Sequence, residues 1–311
     1  MKISIITPCL NSVPFIGGTI ESVISQGYPD VEHWIIDGGS SDGTLDLLKR
    51  HQHVRIVSEP DRGVYDAINK GIRLATGEVI IFLNSGDFLG FGALALSAEI
   101  FRNAIGTIIV SAGCQIFRCT PDGSEIEMYR YDNPRQYALS LRNVTVQKPL
   151  VNARFFRRTV FDQIGYFDLG YSVAADRDFL IRAALRQLPD APVGRVLYRY
   201  RWPGEFRNRS GGNATLLIEM KENERIARRY ATSQGLGQND LVSLRMLEET
   251  SLVTELMILA RTGNWGRATK GLLTMTISRP AFIFVFFRWV VRASFRALTI
   301  WTKLRRNLEK R

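Results

Sequence analysis

The sequence predicts an open α/β fold in which helices cover a mostly parallel β-sheet, followed by a helical C-terminal extension. Strand-like and helix-like patterns alternate over roughly the first 90 residues, which is typical of consecutive parallel strands joined by helices. Hydrophobic residues make up 45% of the 311 residues, enough to build a packed core. From Ala214 onward the sequence has a helical pattern and mixes acidic with basic residues.

Four short hydrophobic runs predict strands, and three amphipathic segments between them predict helices. The predicted strands are Ile3–Thr7, His33–Asp37, Val54–Ser58 and Val79–Leu83. The predicted helices are Pro14–Gln26, Thr44–His51 and Val64–Thr76. Ligands of such sheets bind beyond the carboxyl ends of the strands, so the residues that follow each strand are candidates for a site.

Polar segments follow all four predicted strands. They are Thr7–Asn11 (TPCLN), Asp37–Thr44 (DGGSSDGT), Ser58–Gly63 (SEPDRG) and Asn84–Asp87 (NSGD). Each segment alone has the composition of an ordinary turn, because Asp, Gly, Ser and Pro favour turns. Four of them in succession at one edge of a sheet indicate a binding site.

Two of these segments carry carboxylates suited to particular ligands. Small residues around Asp37 would let a planar ring or a phosphate approach the backbone, and Asp37 could accept a hydrogen bond from a base or ribose. Ser41 or Asp42 is expected to cap the helix that follows. Asp87 offers an oxygen ligand for Mg²⁺ or Mn²⁺, since one carboxylate plus substrate phosphates is enough for such an ion. The alternative for Asp87 is a β-turn that ends on an aspartate.

Further motifs follow in order along the chain. They are YDAINKG from Tyr65, GEVIIFLNSGD from Gly77, FFRRTVFDQIGYFD from Phe155 and ADRDFLIRA from Ala175. With the four polar segments, their order and spacing resemble the family 2 glycosyltransferases over about residues 1–215. The resemblance implies a GT-A fold for domain 1–215, a nucleotide-diphosphate-sugar donor with a UDP-sugar favoured, a divalent metal (Mn²⁺ or Mg²⁺) and inversion at the anomeric carbon.

The resemblance also implies roles for individual residues. The residues expected to contact the donor are Thr7, Pro8, Asn11, Asp37, Arg62, Asn69, Lys70 and Asn84, with Asp37 reaching the base and Asp87 holding the metal. Many relatives carry two acids where this chain has Asp37 and Gly38, and an acid where it has Asn84. Arg207 and Arg209 belong to a glycine-rich loop that either closes over the diphosphate or is an ordinary surface loop.

The motif around Asp176 is expected to supply the general base. Relatives have Glu-Asp before a helix and use the aspartate as the base, whereas this chain has Ala175 in place of the glutamate, so the resemblance assigns the base to Asp176 alone. One carboxylate beside the acceptor hydroxyl can take its proton as the glycosidic bond forms. Asp178 is expected only to cap the helix or to pair with Arg182.

The formal net charge of +11 is concentrated at the C-terminus. Residues 279–311 contain nine basic residues and one acidic residue among many Phe, Trp, Val and Ile, and Arg288, Arg292 and Arg296 would form one stripe on a helix. We expect 216–311 to be a helical extension whose last part, 279–311, binds an anionic membrane surface. The alternative is a helix packed on protein. The arginines argue against a membrane-spanning helix, and the apolar content argues against nucleic-acid binding.

Together these features predict an inverting glycosyltransferase of the hexosyl- or N-acetylhexosaminyl-transferase class. Its acceptor is expected to be a glycan or a lipid-linked precursor of a surface polysaccharide. The alternatives are a nucleotidyltransferase, which has no use for a base at Asp176, and a catalytically inactive sugar-nucleotide-binding or membrane scaffold protein.

The sequence opens on a strand pattern without a secretory signal, and it has three cysteines, an odd number. These observations predict a cytoplasmic protein at the inner face of the cell membrane.

Overall fold

The computed structural model describes residues 1–120, 122–202 and 212–278. The chain divides into two compact units, Met1–Gly211 and Gly212–Arg311. Three features singled out in the sequence lie outside the described residues, namely Arg207, Arg209 and the basic segment 279–311.

The described residues of the first unit form a nine-stranded sheet, in which the first four strands of the chain are parallel to one another. Strands β1 (Ile3–Cys9), β2 (Val31–Asp37), β3 (Val54–Ser58) and β4 (Val79–Phe82) pair in parallel in the order β3-β2-β1-β4. β1 and β4 are buried along their whole length, as strands covered on both faces should be. The four strands predicted from the hydrophobic runs are therefore all present.

Helices α1 (Val13–Ile24), α2 (Thr44–Leu48) and α3 (Val64–Leu74) connect these strands. α1 buries Ile16, Ile20 and Val23, whose spacing of three to four residues places them on one face of the helix. α2 ends at Leu48 rather than at the predicted His51, because the residues directly beyond Leu48 are exposed and add nothing to the core.

The other half of the sheet is mixed, and none of its strands was predicted from the sequence. These are β5 (Phe88–Leu89), β6 (Ile109–Cys119), β7 (Glu125–Tyr131), β8 (Arg154–Arg157) and β9 (Asp190–Arg201). Beyond β4 the strand order is β8-β6-β9-β5, with β7 paired to β6. β8 is antiparallel to both of its neighbours, whereas β9 is parallel to β6. The antiparallel pairing of β5 with β9 brings the end of β9 beside the residues that follow β4.

Five further helices complete the first unit. They are α4 (Ala93–Asn103), α5 (Pro134–Tyr137), α6 (Leu141–Val146), α7 (Thr159–Ile164) and α8 (Ala175–Leu185), with a 3-10 turn at Val151–Ala153. An aromatic stack links α8 to α3. The ring of Phe167 lies 4.7 Å from that of Phe179 in α8 and 5.4 Å from that of Tyr65 in α3. Offset stacking of this kind fixes the two helices relative to each other.

The described part of the second unit, 212–278, contains α9 (Asn213–Ala231), α10 (Gln238–Arg261) and α11 (Trp265–Ser278). Its interior includes Ile226, Leu244 and Val253, all fully buried. Arg228 of α9 also pairs with Glu248 of α10, with 2.8 Å between Nε and Oε1. Within the described ranges, no helix combines the length and the apolar character that crossing a membrane would require.

Candidate active site

The four polar segments meet at one edge of the sheet, because the four strands that precede them are parallel. Asn11 joins the first two segments, since its backbone N–H donates to the Ser40 hydroxyl (2.7 Å) and its side-chain oxygen accepts from the Ser41 N–H (2.9 Å). Asn11 is exposed and has a positive φ of 49°, a conformation that asparagine tolerates better than most residues. Asn11 is thus placed on the surface of this edge.

Asp37 accepts hydrogen bonds from two of the polar segments at this edge. Its carboxylate is fully buried and accepts hydrogen bonds from the backbone N–H groups of Gly39 (3.1 Å) and Ser40 (3.0 Å), from the Ser58 hydroxyl (2.7 Å) and from the Ser40 hydroxyl. Burial would raise the pKa of Asp37, but these hydrogen bonds outweigh it and hold the pKa below its ordinary value. Asp37 therefore stays ionised and orders the loop that follows β2, and its contact with a base stays a prediction.

Gly38 shows why this chain lacks the second acid of many relatives. A Cβ atom at residue 38 would lie 2.6 Å from Oδ2 of Asp61, closer than any van der Waals contact allows. The carboxylate of Asp61 therefore fills the space that a side chain at 38 would need. Its other oxygen accepts from the Gly63 N–H at 2.8 Å, which holds Asp61 at this edge.

Asp42 caps the helix that follows this turn, α2, as one of the two residues predicted to do so. One oxygen accepts from the Thr44 N–H at the start of α2 (3.0 Å), and the other accepts from the Val13 N–H at the start of α1 (3.2 Å). Two helix N-termini therefore share one carboxylate.

Thr7 and Pro8 are buried at the end of β1. The Thr7 hydroxyl lies 2.8 Å from Nε2 of His33, whose pKa burial lowers to about 3, so the imidazole is neutral. Arg62, in contrast, is exposed, and its Nη2 lies 3.7 Å from Oδ1 of Asp66. The structure thus places Arg62 at the surface of the edge and Thr7 inside it.

Asn69 and Lys70 both make contacts with the protein itself. Asn69 is buried, donates from Nδ2 to the Phe167 carbonyl (2.9 Å) and accepts from the Phe167 N–H (3.1 Å). Lys70 Nζ lies 2.9 Å from both Glu59 Oε1 and the Pro60 carbonyl oxygen. Asn69 therefore anchors the segment before α8, and donor contacts of these two residues stay predictions.

Asn84–Asp87 follows β4, and Asp87 is its most engaged residue. The Asp87 carboxylate is fully buried, with Oδ2 accepting from the Tyr198 hydroxyl (2.6 Å) and Oδ1 from the Arg201 N–H (2.9 Å). Gly86 has a φ of 94°, a conformation that favours glycine and that gives the segment its tight turn.

The oxygen chemistry of Asp87 fits a divalent metal that is shared with a substrate. A carboxylate has two oxygens with about four lone-pair sites, so it can accept hydrogen bonds and also ligate a metal ion. Within the described part of the chain, no three His, Cys, Asp or Glu side chains lie together in an arrangement that could hold a metal. A Mg²⁺ or Mn²⁺ ion at Asp87 would thus need phosphate oxygens and water for most of its ligands, which is common for these ions.

Asp176 lies in the first turn of α8 and is half-buried. Its Oδ1 accepts from the Arg177 N–H at 2.7 Å, and a carboxylate is stabilised at a helix N-terminus. The segment before α8 is tied to α3, because the Tyr65 hydroxyl donates to the Val173 carbonyl at 2.8 Å. Asp176 is thus held on a rigid element that is anchored beside the third polar segment.

The two charged neighbours of Asp176 have structural partners. Asp178 is buried and pairs with Arg182, with 2.9 Å between Oδ2 and Nε, which is the i,i+4 pair considered in the sequence. Nη1 of Arg177 donates to the carbonyls of Val144 (2.6 Å) and Thr145 (3.2 Å), closing the end of α6.

Several residues at this edge were not found from the sequence. Ser58 lies in a polar segment, so its contact with Asp37 could have been suspected from strand order alone. Tyr198 and Thr19 could not, because they lie in a strand and a helix without any recognisable motif. Thr19 contacts the Asp87 carbonyl at 3.0 Å, and Tyr198 contacts a residue 111 positions earlier in the chain.

Comparison with known proteins supports the architecture of the first unit. Two of the solved structures that resemble the chain are S. aureus TarS 1-349 in complex with UDP-GlcNAc (TM-score 0.61, 16% identity, 83% of this chain and 81% of that chain) and the mannosyltransferase PcManGT from Pyrobaculum calidifontis in complex with GDP-Man and Mn²⁺ (TM-score 0.60, 18% identity, 96% and 87%). A match to a longer TarS chain covers only 43% of that chain. At these identities the likeness concerns the fold, and it confirms the expected GT-A-like α/β architecture with additional C-terminal helices.

Sequence relatives carry the comparison further. An uncharacterized glycosyltransferase of Mycobacterium tuberculosis (strain CDC 1551) is 34% identical over 189 residues, which cover 59% of this chain and 69% of the relative. A PGL/p-HBAD biosynthesis glycosyltransferase of Mycobacterium bovis (strain BCG) is 33% identical over 186 residues, covering 58% and 68%. Residues 4–165, more than half of the chain, match the family model described as glycosyl transferase family 2. The chain therefore belongs to glycosyltransferase family 2.

Proposed function

We propose that this glycosyltransferase moves a hexosyl or N-acetylhexosaminyl group from a nucleotide-diphosphate-sugar to an acceptor hydroxyl, with inversion. Family membership supports the class of reaction. The observation that carries the site is the polar edge itself, where buried Asp37 and Asp87 each accept several hydrogen bonds at the carboxyl ends of parallel strands. Carboxylates ordered this firmly at a ligand-binding edge are characteristic of a preorganised site.

In the proposed reaction Asp176 acts as the general base. It accepts the proton of the acceptor hydroxyl while the hydroxyl oxygen forms a bond to the anomeric carbon. The bond between that carbon and the phosphate oxygen breaks on the opposite face, so the configuration inverts and a nucleoside diphosphate leaves. A half-buried carboxylate held by the Arg177 N–H is suited to this role, because its position is fixed while it remains accessible.

The donor would lie along the edge, with its base near Asp37 and Asp61 and its diphosphate near Asn84–Asp87. Asn11 and Arg62 are exposed at the same edge and could contact the nucleotide. A divalent metal bound at Asp87 would neutralise charge on the leaving nucleoside diphosphate. The solved neighbours hold UDP-GlcNAc in one case and GDP-Man in the other, and a UDP-sugar remains our favoured donor.

The proposed acceptor is a glycan or a lipid-linked precursor near the inner face of the cell membrane. This part rests on the sequence of 279–311, where arginines alternate with Phe and Trp. Deletion of 279–311 should remove binding to vesicles that contain anionic lipid while donor hydrolysis remains measurable. Equal vesicle binding by the shortened and the full chain would contradict the proposal.

The activity is tested by incubating the full chain with UDP-, GDP- and dTDP-sugars and Mn²⁺ or Mg²⁺ and measuring nucleotide release. Asp176→Asn should lower transfer by roughly 10²–10⁴-fold, the usual contribution of a general base. Asp162→Asn, an exposed aspartate of α7, is the matched control and should transfer normally. Donor binding without release by the wild-type chain would favour an inactive binding protein. Full transfer by Asp176→Asn would remove the base from the mechanism.

A further inference from the structure

Tyr198 of β9 holds both ends of the segment Asn84–Asp87. Its side chain is buried, and its hydroxyl donates to Asp87 Oδ2 at 2.6 Å. The oxygen of the Tyr198 hydroxyl also accepts from the backbone N–H of Asn84 (3.4 Å) and from Nδ2 of Asn152 (3.2 Å). Three residues further along β9, the Arg201 N–H donates to the second Asp87 oxygen at 2.9 Å. One strand therefore fixes the carboxylate through both of its oxygens.

Residues in and just before α1 hold the same segment through its other atoms. The Thr19 hydroxyl accepts from the Gly86 N–H (2.8 Å) and donates to the Asp87 carbonyl (3.0 Å). The Ser12 hydroxyl lies 2.9 Å from the Ser85 hydroxyl. Every residue of Asn84–Asp87 is thus held by a side chain from outside the segment, and the Tyr198 hydroxyl contacts the Asp87 carboxylate itself.

We infer that Tyr198 is a positioning residue of the active site, which fixes the Asp87 carboxylate for the metal and diphosphate of the donor. The inference rests on the proposed function, in which Asp87 holds the metal. A hydrogen bond to a carboxylate is stronger than one between neutral groups, and it fixes the rotation of the carboxylate plane. Groups that orient a metal ligand in this way typically change metal affinity or activity by about 10–100-fold when they are removed.

The chain offers a matched control for the loss of a buried tyrosine hydroxyl. Tyr137 is as buried as Tyr198, and its hydroxyl donates to the backbone carbonyls of Asp132 and Val193. Tyr137→Phe therefore removes the same atom from the same kind of environment without touching Asn84–Asp87. A purely structural role of Tyr198 would make the two variants behave alike.

The test compares Tyr198→Phe with Tyr137→Phe in the full chain. Mn²⁺ binding is measured by titration calorimetry in the presence of UDP or GDP, together with thermal unfolding and with kcat and KM for the donor. We expect Tyr198→Phe to weaken Mn²⁺ binding by roughly 10–100-fold and to lower kcat more than it raises KM, whereas Tyr137→Phe leaves both unchanged. Equal Mn²⁺ binding by the two variants would overturn the inference.

Two further variants separate the possible failures. If Asp87→Asn abolishes Mn²⁺ binding while Tyr198→Phe does not change it, only the role of Tyr198 is wrong. If Asp87→Asn binds Mn²⁺ normally, or the wild-type chain binds none, the proposed metal residue is wrong as well. Should Tyr198→Phe fail to fold, Asn152→Ala removes one donor to the same hydroxyl. It should weaken Mn²⁺ binding in the same direction by a smaller factor, and unchanged binding would count against the inference.

Discussion

Strand β2 carries a buried carboxylate near each of its ends, and the partners of the two carboxylates differ in charge. Glu32, at the amino end, lies 3.0 Å from both Lys2 Nζ and Arg55 Nη1 and also accepts from the Ser4 hydroxyl at 2.6 Å. Asp37, at the carboxyl end, accepts only from neutral hydroxyl, thiol and backbone N–H groups. Among the described residues, no Lys or Arg forms an ion pair with Asp37.

This difference agrees with the proposal that one end of the strand has a structural role and the other end belongs to the donor site. The charge of Glu32 is balanced by the protein, so the amino edge of the sheet is complete without a ligand. At the carboxyl edge the described residues stabilise the charge of Asp37 through hydroxyl, thiol and backbone N–H groups, and the carboxylates of Asp42 and Asp61 lie in the neighbouring loops. An edge with ordered but unneutralised carboxylates is suited to N–H groups and cations brought by a ligand.

The largest effect on stability is expected at the amino end. Glu32→Gln should lower the free energy of unfolding by about 3 kcal/mol, because the buried carboxylate accepts hydrogen bonds from Ser4, Thr76 and Gly77 that an amide cannot all accept. Lys2 and Arg55 are partly exposed, so the loss of their anion adds little. Binding of UDP or GDP should not change. Urea unfolding and nucleotide titration measure the two quantities. Glu78→Gln, an exposed carboxylate near the same edge, should change stability by less than about 0.5 kcal/mol.

Acid titration tests the contribution of the Glu32 charge to stability. Burial would raise the pKa of Glu32, but hydrogen bonds from Ser4, Thr76 and Lys2 outweigh it and lower the pKa from 4.5 to about 2. The unfolded chain therefore binds the proton first, so this contribution is complete above pH 4.5 and is lost as the pH falls through 2. Unfolding measured between pH 6 and pH 2 should show a shallower slope for Glu32→Gln. An unchanged slope would contradict the assignment.

A smaller effect, on binding, is expected at the carboxyl end. Asp37→Asn should weaken UDP or GDP binding about tenfold, because an amide has one acceptor oxygen where the carboxylate has two, and the loop of Gly39 and Ser40 loses part of its support. Its unfolding free energy should fall by only about 1 kcal/mol. The comparison between the two ends fails if Asp37→Asn unfolds easily and binds normally while Glu32→Gln does the reverse.

The smallest effect on stability is expected in the second unit. There several carboxylates surround one cation, whereas Glu32 in the first unit has two cations as partners. Arg228 lies near both Glu224 and Glu248, so one cation serves several carboxylates. Burial and the neighbouring Glu255 raise the pKa of Glu224 from 4.5 to about 7. The contribution of Glu224 to stability is therefore complete below pH 4.5 and is lost as the pH rises through 7. Glu224→Gln should stabilise it by on the order of 1 kcal/mol at pH 8 and hardly at all at pH 5, as followed by helical circular dichroism.

The parallel half of the sheet was predictable because each strand is a short apolar run and each connection is a local amphipathic helix. The mixed half was not, because the pairing of β6 with β8 and β9 joins residues far apart in sequence and leaves no periodic signature. The tyrosine that contacts Asp87 lies in that half, which is why motif reading did not find it.

The candidate site was predictable in its loops but not in the orientation of individual side chains. The segments around Asp37 and Asp87 were identified from small and acidic residues after strands. That Asn69 turns inward to the backbone of Phe167, and that Asp42 caps two helices at once, depends on which elements pack beside them. Such choices are made by tertiary contacts, which sequence spacing does not encode.

The close approach of Asp61 to the missing side chain of Gly38 has a consequence for exchanging residues between relatives. A side chain at position 38 would meet the end of the Asp61 side chain, so it requires the Asp61 carboxylate to move away. An acid introduced at 38, as many relatives have, would place two like charges in the space of one, whereas the exchange Gly38→Asp with Asp61→Gly would keep a single carboxylate there. A double-mutant cycle on the two positions should therefore be strongly non-additive. Residues 38 and 61 lie in different loops, so they should be exchanged together when segments of relatives are transplanted into this chain.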